Sequence, residues 1–229
     1  IKIKGQALYK NRLLMLDIIA SNDWKRPIYF TGGAFGDEDY IWMKDYLQVE
    51  GVCYKLIPIK TPIDSERPYE MGRVNTKTMY PLVKSWSWGK RDDQDIYYDV
   101  ESRKNSITYR GNMVRLIDQL IIENNYEKAE EILDLAMIKM PLEDFGFYTL
   151  LEPFINSYYK IEKNEKARDI FEQVAKKYKE NLEYYSNISN TNKNKYAEEI
   201  YTDIERYRSL VDVLISHEEG EYLENKMKE

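Results

Sequence analysis

The chain has 229 residues, enough for one large domain or two small ones, and its 43% apolar and 32% charged residues can build a packed core. A formal net charge of −6, with acidic and basic residues interleaved, argues against nucleic acid, whose phosphates require clustered Lys and Arg. One cysteine, Cys53, and one histidine, His217, leave no intramolecular disulfide, no zinc centre built on Cys and His, and no histidine-based triad.

No apolar run approaches the roughly 18–20 residues that cross a bilayer. The best stretch, 13–20, is interrupted by Asp17. The chain opens on Ile1 with no charged-then-apolar leader, and such an opening reads as a fragment of a longer protein. The first predicted element is a helix over about residues 6–21, apolar on most sides between Leu13 and Ile19 and therefore expected to be buried. Asn22-Asp23 ends it. Pro27-Ile28-Tyr29-Phe30-Thr31 predicts a short buried strand closed by Gly32-Gly33. Asp37, Glu38 and Asp39 suit the positive end of a second helix, expected to run to about Glu50 with Gly51 as its C-terminal cap. Residues 52–60 predict another strand, with Cys53 a buried, inert thiol and Pro58 marking an edge or a strand end. Strand, crossover helix and strand make a parallel βαβ unit within residues 1–62.

Residues 63–110 read as an irregular but ordered connection. Pro68, Gly72, Pro81 and Gly89 punctuate it, while Tyr69, Tyr80, Trp86, Trp88, Tyr97 and Tyr98 give it packing surface. Residues 111–229 have helical period and an internal repeat. Met113, Leu116, Ile117 and Leu120 fill first-helix positions of a tetratricopeptide-like hairpin, and Ala129, Leu133, Ala136 and Pro141 fill its second half. Leu151, Phe154, Ile155 and Tyr158, then Ala167, Phe171 and Val174, make a second copy, with an enlarged loop over 141–146. Small Ala at crossings lets paired helices approach while large residues fill the groove. Ala197-x3-Tyr201 opens a third element over about 195–216, expected to cap the stack, with His217 solvated at its end. The fold class is α+β: a small βαβ unit with a flanking helix, then mostly α tetratricopeptide-like hairpins.

Several motifs invite a chemical reading and a plainer one beside it. Gly32-Gly33-x-x-Gly36 lies where phosphate cradles occur, but the acids after it would repel an anion, so a turn is preferred. Asp37-x-Asp39 and Asp93-x-Asp95 resemble the acidic pairs of metal-dependent glycosyltransferases, and Asp92, Asp93, Asp95 and Asp99 cluster as a calcium loop would, without its glycine and terminal Glu. Both are read as helix caps and solvated charge, so no catalytic residue, metal ligand or cofactor is assigned. Trp86-Ser87-Trp88 puts two indoles on one side of an extended segment, a platform for a sugar or a peptide, or else two core anchors. The candidate ligand-binding set is Trp86 and Trp88 with Arg91 and Asp93 on a polar rim.

Trp24-Lys25-Arg26-Pro27-Ile28-Tyr29-Phe30, followed by Asp45-Tyr46-Leu47-Gln48-Val49-Glu50-Gly51-Val52-Cys53-Tyr54, resembles one family. It is the C-terminal soluble region of bacterial multi-pass membrane proteins of unknown function whose N-terminal part is similar to protein O-mannosyltransferases. The resemblance implies an extracytoplasmic, periplasmic-side domain attached through a transmembrane region to a lipid-linked-sugar transferase, with the acidic catalytic residues in that membrane part. Two functions follow as expectations: a non-catalytic scaffold for a protein or glycan partner, or an independent glycan-processing enzyme using the acidic pairs and the Trp platform.

Overall fold

A computed structural model describes residues 9–31, 43–61, 71–89, 96–218 and 220–228. The chain divides into two compact units, residues 1–89 and 90–229. The class is α+β, a small sheet followed by helical hairpins.

In the first unit, helix α1 (Lys10–Asn22) accompanies strands β1 (Tyr29–Thr31), β2 (Leu47–Glu50), β3 (Cys53–Leu56) and β4 (Arg73–Val74), and helix α2 (Thr76–Lys84) follows. The strand order is β1-β3-β2-β4. β3 runs antiparallel to both β1 and β2, and only β2 and β4 are parallel. The predicted parallel βαβ unit is therefore absent. The predicted helix does not reach Glu50: Lys44–Tyr46 form a 3-10 turn and Leu47–Glu50 a strand, while residues 37–42 of the predicted helix lie outside the described ones. Glu50 faces Cys53 across a two-residue Gly51-Val52 hairpin turn. Gly51 has φ +66°, the left-handed conformation that a helix cap and a tight hairpin both need, so the local signal was right and the element wrong. All four β2 residues are buried, and the strand is paired on both edges. Buried Glu50 takes hydrogen bonds from Tyr29 Oη (2.7 Å) and Gln48 Nε2 (2.7 Å), with Lys55 Nζ at 3.4 Å.

Three smaller expectations change for the same reason. β1 is an edge strand with Tyr29 exposed, and β3 is an inner strand that stops two residues before Pro58. Cys53 is half-buried. Helix α1 is not buried: Met15 and Ile19 pack on the cluster of Met43, Leu47 and Leu56, while Leu13, Leu14 and Ile18 stay 51, 56 and 58% exposed. A narrow sheet covers one stripe of a helix, however apolar the helix is.

The stretch read as irregular holds regular structure on both sides of residues 90–95, which lie outside the described ones. β4 and α2 fall within it, α2 capped by Asn75 Oδ1 accepting from Lys77 N and burying Met79 and Val83. Gly72 (φ +76°) lies so close beneath β2 that a Cβ there would sit 3.0 Å from the Leu47 carbonyl. Helix α3 (Val100–Ile122) starts at Asp99, whose carboxylate accepts from Ser102 N (2.9 Å) and Oγ (3.0 Å).

In the second unit α3 pairs with α4 (Tyr126–Lys139); α5 (Leu142–Phe145) lies in the enlarged loop, and α6 (Glu152–Lys160) pairs with α7 (Asn164–Asn187). The short α8 (Asn190–Lys195) turns the chain into α9 (Ala197–His217), which packs on α7 and α6, and α10 (Glu221–Lys226) ends it. Every helical position of the two repeat copies is buried: Met113, Leu116, Ile117, Leu120, Ala129, Leu133 and Ala136 in the first, and Leu151, Phe154, Ile155, Tyr158, Ala167, Phe171 and Val174 in the second. The third element caps the stack as expected, but not through its Ala-x3-Tyr motif: α9 meets the stack through Asp203, Leu210 and Leu214, leaving Ala197 exposed and Tyr201 66% exposed.

The enlarged loop is pinned from within by Arg110, a wholly buried side chain of α3. Its Nη2 donates to the Met140 carbonyl (2.6 Å) and its Nη1 to the Gly146 carbonyl (2.7 Å). Burial lowers its pKa to about 10, still high enough to keep the guanidinium charged at neutral pH.

Candidate functional site

The Trp pair stands just past α2. Both indoles are half-buried and meet edge to face, 5.7 Å between centroids and 67° between planes. Trp86 also covers the hairpin turn, since a Cβ on Gly51 would lie 3.4 Å from its Cζ2. Trp86 thus shares an anchoring role with whatever surface it leaves open. Arg91 and Asp93 lie outside the described residues, as do Gly32-Gly33-x-x-Gly36, Asp37-x-Asp39 and Asp93-x-Asp95.

Sequence reading missed a second feature, at the open end of the helical stack. The apolar seam of α7 runs through Ala167, Ile170, Phe171, Val174 and Ala175 and ends at Tyr178. Beyond it α7 carries Asn181 and Tyr185 toward α9, which contributes Glu198, Glu199, Thr202, Asp203 and Arg206 from one face of its first half. Tyr148, on the 3-10 turn Tyr148–Leu150, closes the end of an open cleft of about 550 Å³. Asn181 Nδ2 donates to Tyr148 Oη (2.7 Å) and to Asp203 Oδ2 (3.2 Å), tying three elements together. Tyr148 packs edge to face on Tyr178 at 4.8 Å, and Tyr178 meets Tyr207 of α9 at 5.7 Å. Desolvation, reinforced by the Asp203 carboxylate, raises the Tyr148 hydroxyl pKa, and burial does the same for Tyr185. Both remain neutral donors and stacking surfaces at ordinary pH. The available sequence signal was the spacing 198, 199, 202, 203, 206, one helical face richer in acid than its neighbours.

Other polar groups brace the helices. Tyr158 Oη donates to Asp134, and Lys166 bridges Asp134 and Glu130, each at 2.8 Å, joining α4, α6 and α7. Arg168 holds buried Glu218 with two bonds of 2.6 Å and lies 4.5 Å over the Tyr222 ring. Lys166 and Lys163 bonds keep the Glu130 carboxyl below its usual range, as the Arg168 bonds do for Glu218. His217 is half-buried rather than solvated: Nε2 lies 2.9 Å from Asn156 Oδ1 and the ring stacks on Tyr159 at 4.9 Å. Among the described residues no group of three or more His, Cys, Asp and Glu converges closely enough for a metal ion. No described helix is long and apolar enough to cross a membrane.

By fold, then, the chain is a small mixed sheet with flanking helices joined to a unit of helical hairpins. Residues 1–78 match the family model of TMEM260-associated domain 2, which takes in α1, the four strands and the start of α2. No curated protein and no solved structure matches the chain.

Proposed function

We propose that the chain is a non-catalytic interaction module of a TMEM260-like membrane protein, held on the extracytoplasmic side beside a sugar transferase embedded in the membrane. Its hairpins act as a tetratricopeptide-like scaffold for the partner on which that transferase works. The observation carrying this reading is the cleft: side chains from α7, α9 and the Tyr148 turn converge on it, and the helices that bear them are fixed by a continuous apolar seam. The match of residues 1–78 supports the membrane-protein parentage. The resemblance of the Arg26-Pro27-Ile28-Tyr29-Phe30 segment to proteins related to O-mannosyltransferases supports the sugar-transfer setting. A glycosidase acid needs a raised pKa. The displaced carboxyls Glu130 and Glu218 are shifted the other way, by ion pairs that brace helices, and Asp99 by the helix N-terminus that it caps.

The test is to incubate the purified chain with nucleotide sugars, lipid-linked sugars and chromogenic glycosides, and to follow release of sugar or nucleotide. No turnover above the protein-free rate is expected. Turnover that disappears in Asp203→Asn would overturn the module reading in favour of a glycan-processing enzyme.

A further inference from the structure

We infer that the outward side of α1 pairs with the same helix of a second copy of this chain, antiparallel and about a two-fold axis beside Leu13 and Leu14. The inference is independent of the module reading, since it concerns the first unit alone. α1 is apolar on most sides, and a helix of that kind is ordinarily covered all round. One side is covered, where Met15 and Ile19 pack on Met43, Leu47 and Leu56. The opposite side carries Lys10, Leu13, Leu14, Asp17 and Ile18, all exposed, the three aliphatic ones by 51, 56 and 58%. With about 3.6 residues per turn, Lys10 and Asp17 fall on one line along the helix. Leu13 and Leu14 flank that line on either side, halfway between the two charges.

The charges say what covers this side. Lys10 and Asp17 are about 10.5 Å apart along the axis, too far to pair within one helix. An antiparallel copy, its two-fold axis passing between positions 13 and 14, sets Lys10 of each chain opposite the partner's Asp17. Leu13 and Leu14 of both copies then meet at the centre, and Ile18, one turn beyond Leu14, lengthens the apolar patch. Such self-complementarity is what an isologous interface requires, whereas parallel pairing would set like charges against each other. A bilayer surface fits less well, because Asp17 stands on the middle line of this side and would enter the membrane unpaired. The paired helix is short, so the interface belongs to the weak, concentration-dependent class, and the monomer prevails in dilute solution.

The experiment is sedimentation equilibrium of the purified chain from about 1 µM to about 1 mM. The mean mass is expected to rise toward that of a dimer across this range. Lys10→Asp and Asp17→Lys should each weaken dimerisation about tenfold, since each turns two attractive pairs into repulsive ones. They should do so although they move the net charge in opposite directions. Combining Lys10→Asp with Asp17→Lys restores both pairs with reversed sign and should bring dimerisation back nearly to that of the parent chain. Leu14→Ser with Ile18→Ser should abolish it. Glu205→Lys, the same charge change at an exposed position of α9, should leave it unchanged. A chain still monomeric at about 1 mM, a double charge variant no better than the single ones, or an equal loss in Glu205→Lys would each overturn the inference. So would binding of the monomer to phosphatidylglycerol vesicles that Leu14→Ser with Ile18→Ser abolishes, which would give this side of α1 to a membrane.

Discussion

In the 1–89 unit a cluster of Met43, Leu47 and Leu56 gathers partly buried Met15, Ile19, Ile28 and Phe30, and much of α1 stays exposed. In the 90–229 unit the apolar seam continues from Met113 on α3 to Leu214 on α9, and each hairpin buries the positions its sequence period marks. The second unit is assembled from neighbours in sequence: α3 packs on α4 across a three-residue loop, and α6 on α7 likewise. The first depends on partners far apart, since β1 reaches past β2 to pair with β3. Local assembly makes burial predictable from period, while nonlocal pairing does not.

This contrast is sharpened most by truncating the seam. Phe171→Ala should cost about 3–5 kcal/mol, read as a fall in the denaturant midpoint. Leu14→Ala, an equally apolar change on exposed α1, should lie within about 0.5 kcal/mol of neutral. A large loss at Leu14 would mean that burial follows composition in the first unit too.

Arg110→Met should cost about 1–3 kcal/mol for each loop carbonyl, Met140 and Gly146, left without its donor. Amide exchange over residues 140–147 should rise more than in α6 and α7. Uniform loosening of the whole unit would show that the guanidinium does more than pin the loop.

In the first unit Gly51→Ala should cost about 1–2 kcal/mol for holding a Cβ in the left-handed region. Crowding against Leu82 Cδ2 at 3.3 Å and Trp86 Cζ2 at 3.4 Å adds to this. Trp86 fluorescence should change with it. A neutral effect would break the assignment of Gly51 to a tight hairpin turn.

The smallest effect is in pH. Desolvation, with Lys160 nearby, holds the His217 pKa below 6.5, so the folded state favours the neutral ring. Its contribution is present above pH 6.5 and is lost as pH falls toward the folded midpoint. Glu218, held below 4.5 chiefly by the Arg168 bonds, adds a second loss below that value. As the single histidine, His217 gives an isolated imidazole signal by NMR. A midpoint at or above 6.5 would contradict the stacked, half-buried geometry on Tyr159.

The sequence by itself determined the class, the two hairpins and the identity of their buried residues, because helical period, small Ala at crossings and short loops are all local properties. It also determined that Gly51 needs a positive φ, but not that α3 starts at Asp99, since residues up to 110 read as irregular. Only the tertiary structure decided that Leu47–Glu50 is a strand, since that choice rests on pairing with β3 and β4 rather than on the tetrapeptide. It also decided that Leu13, Leu14 and Ile18 face outward, because the sheet beneath α1 has room for one stripe. The cleft belongs wholly to tertiary structure: Tyr148, Asn181 and Asp203 are scattered along the chain, and only the return of α9 along α7 brings them within hydrogen-bonding distance.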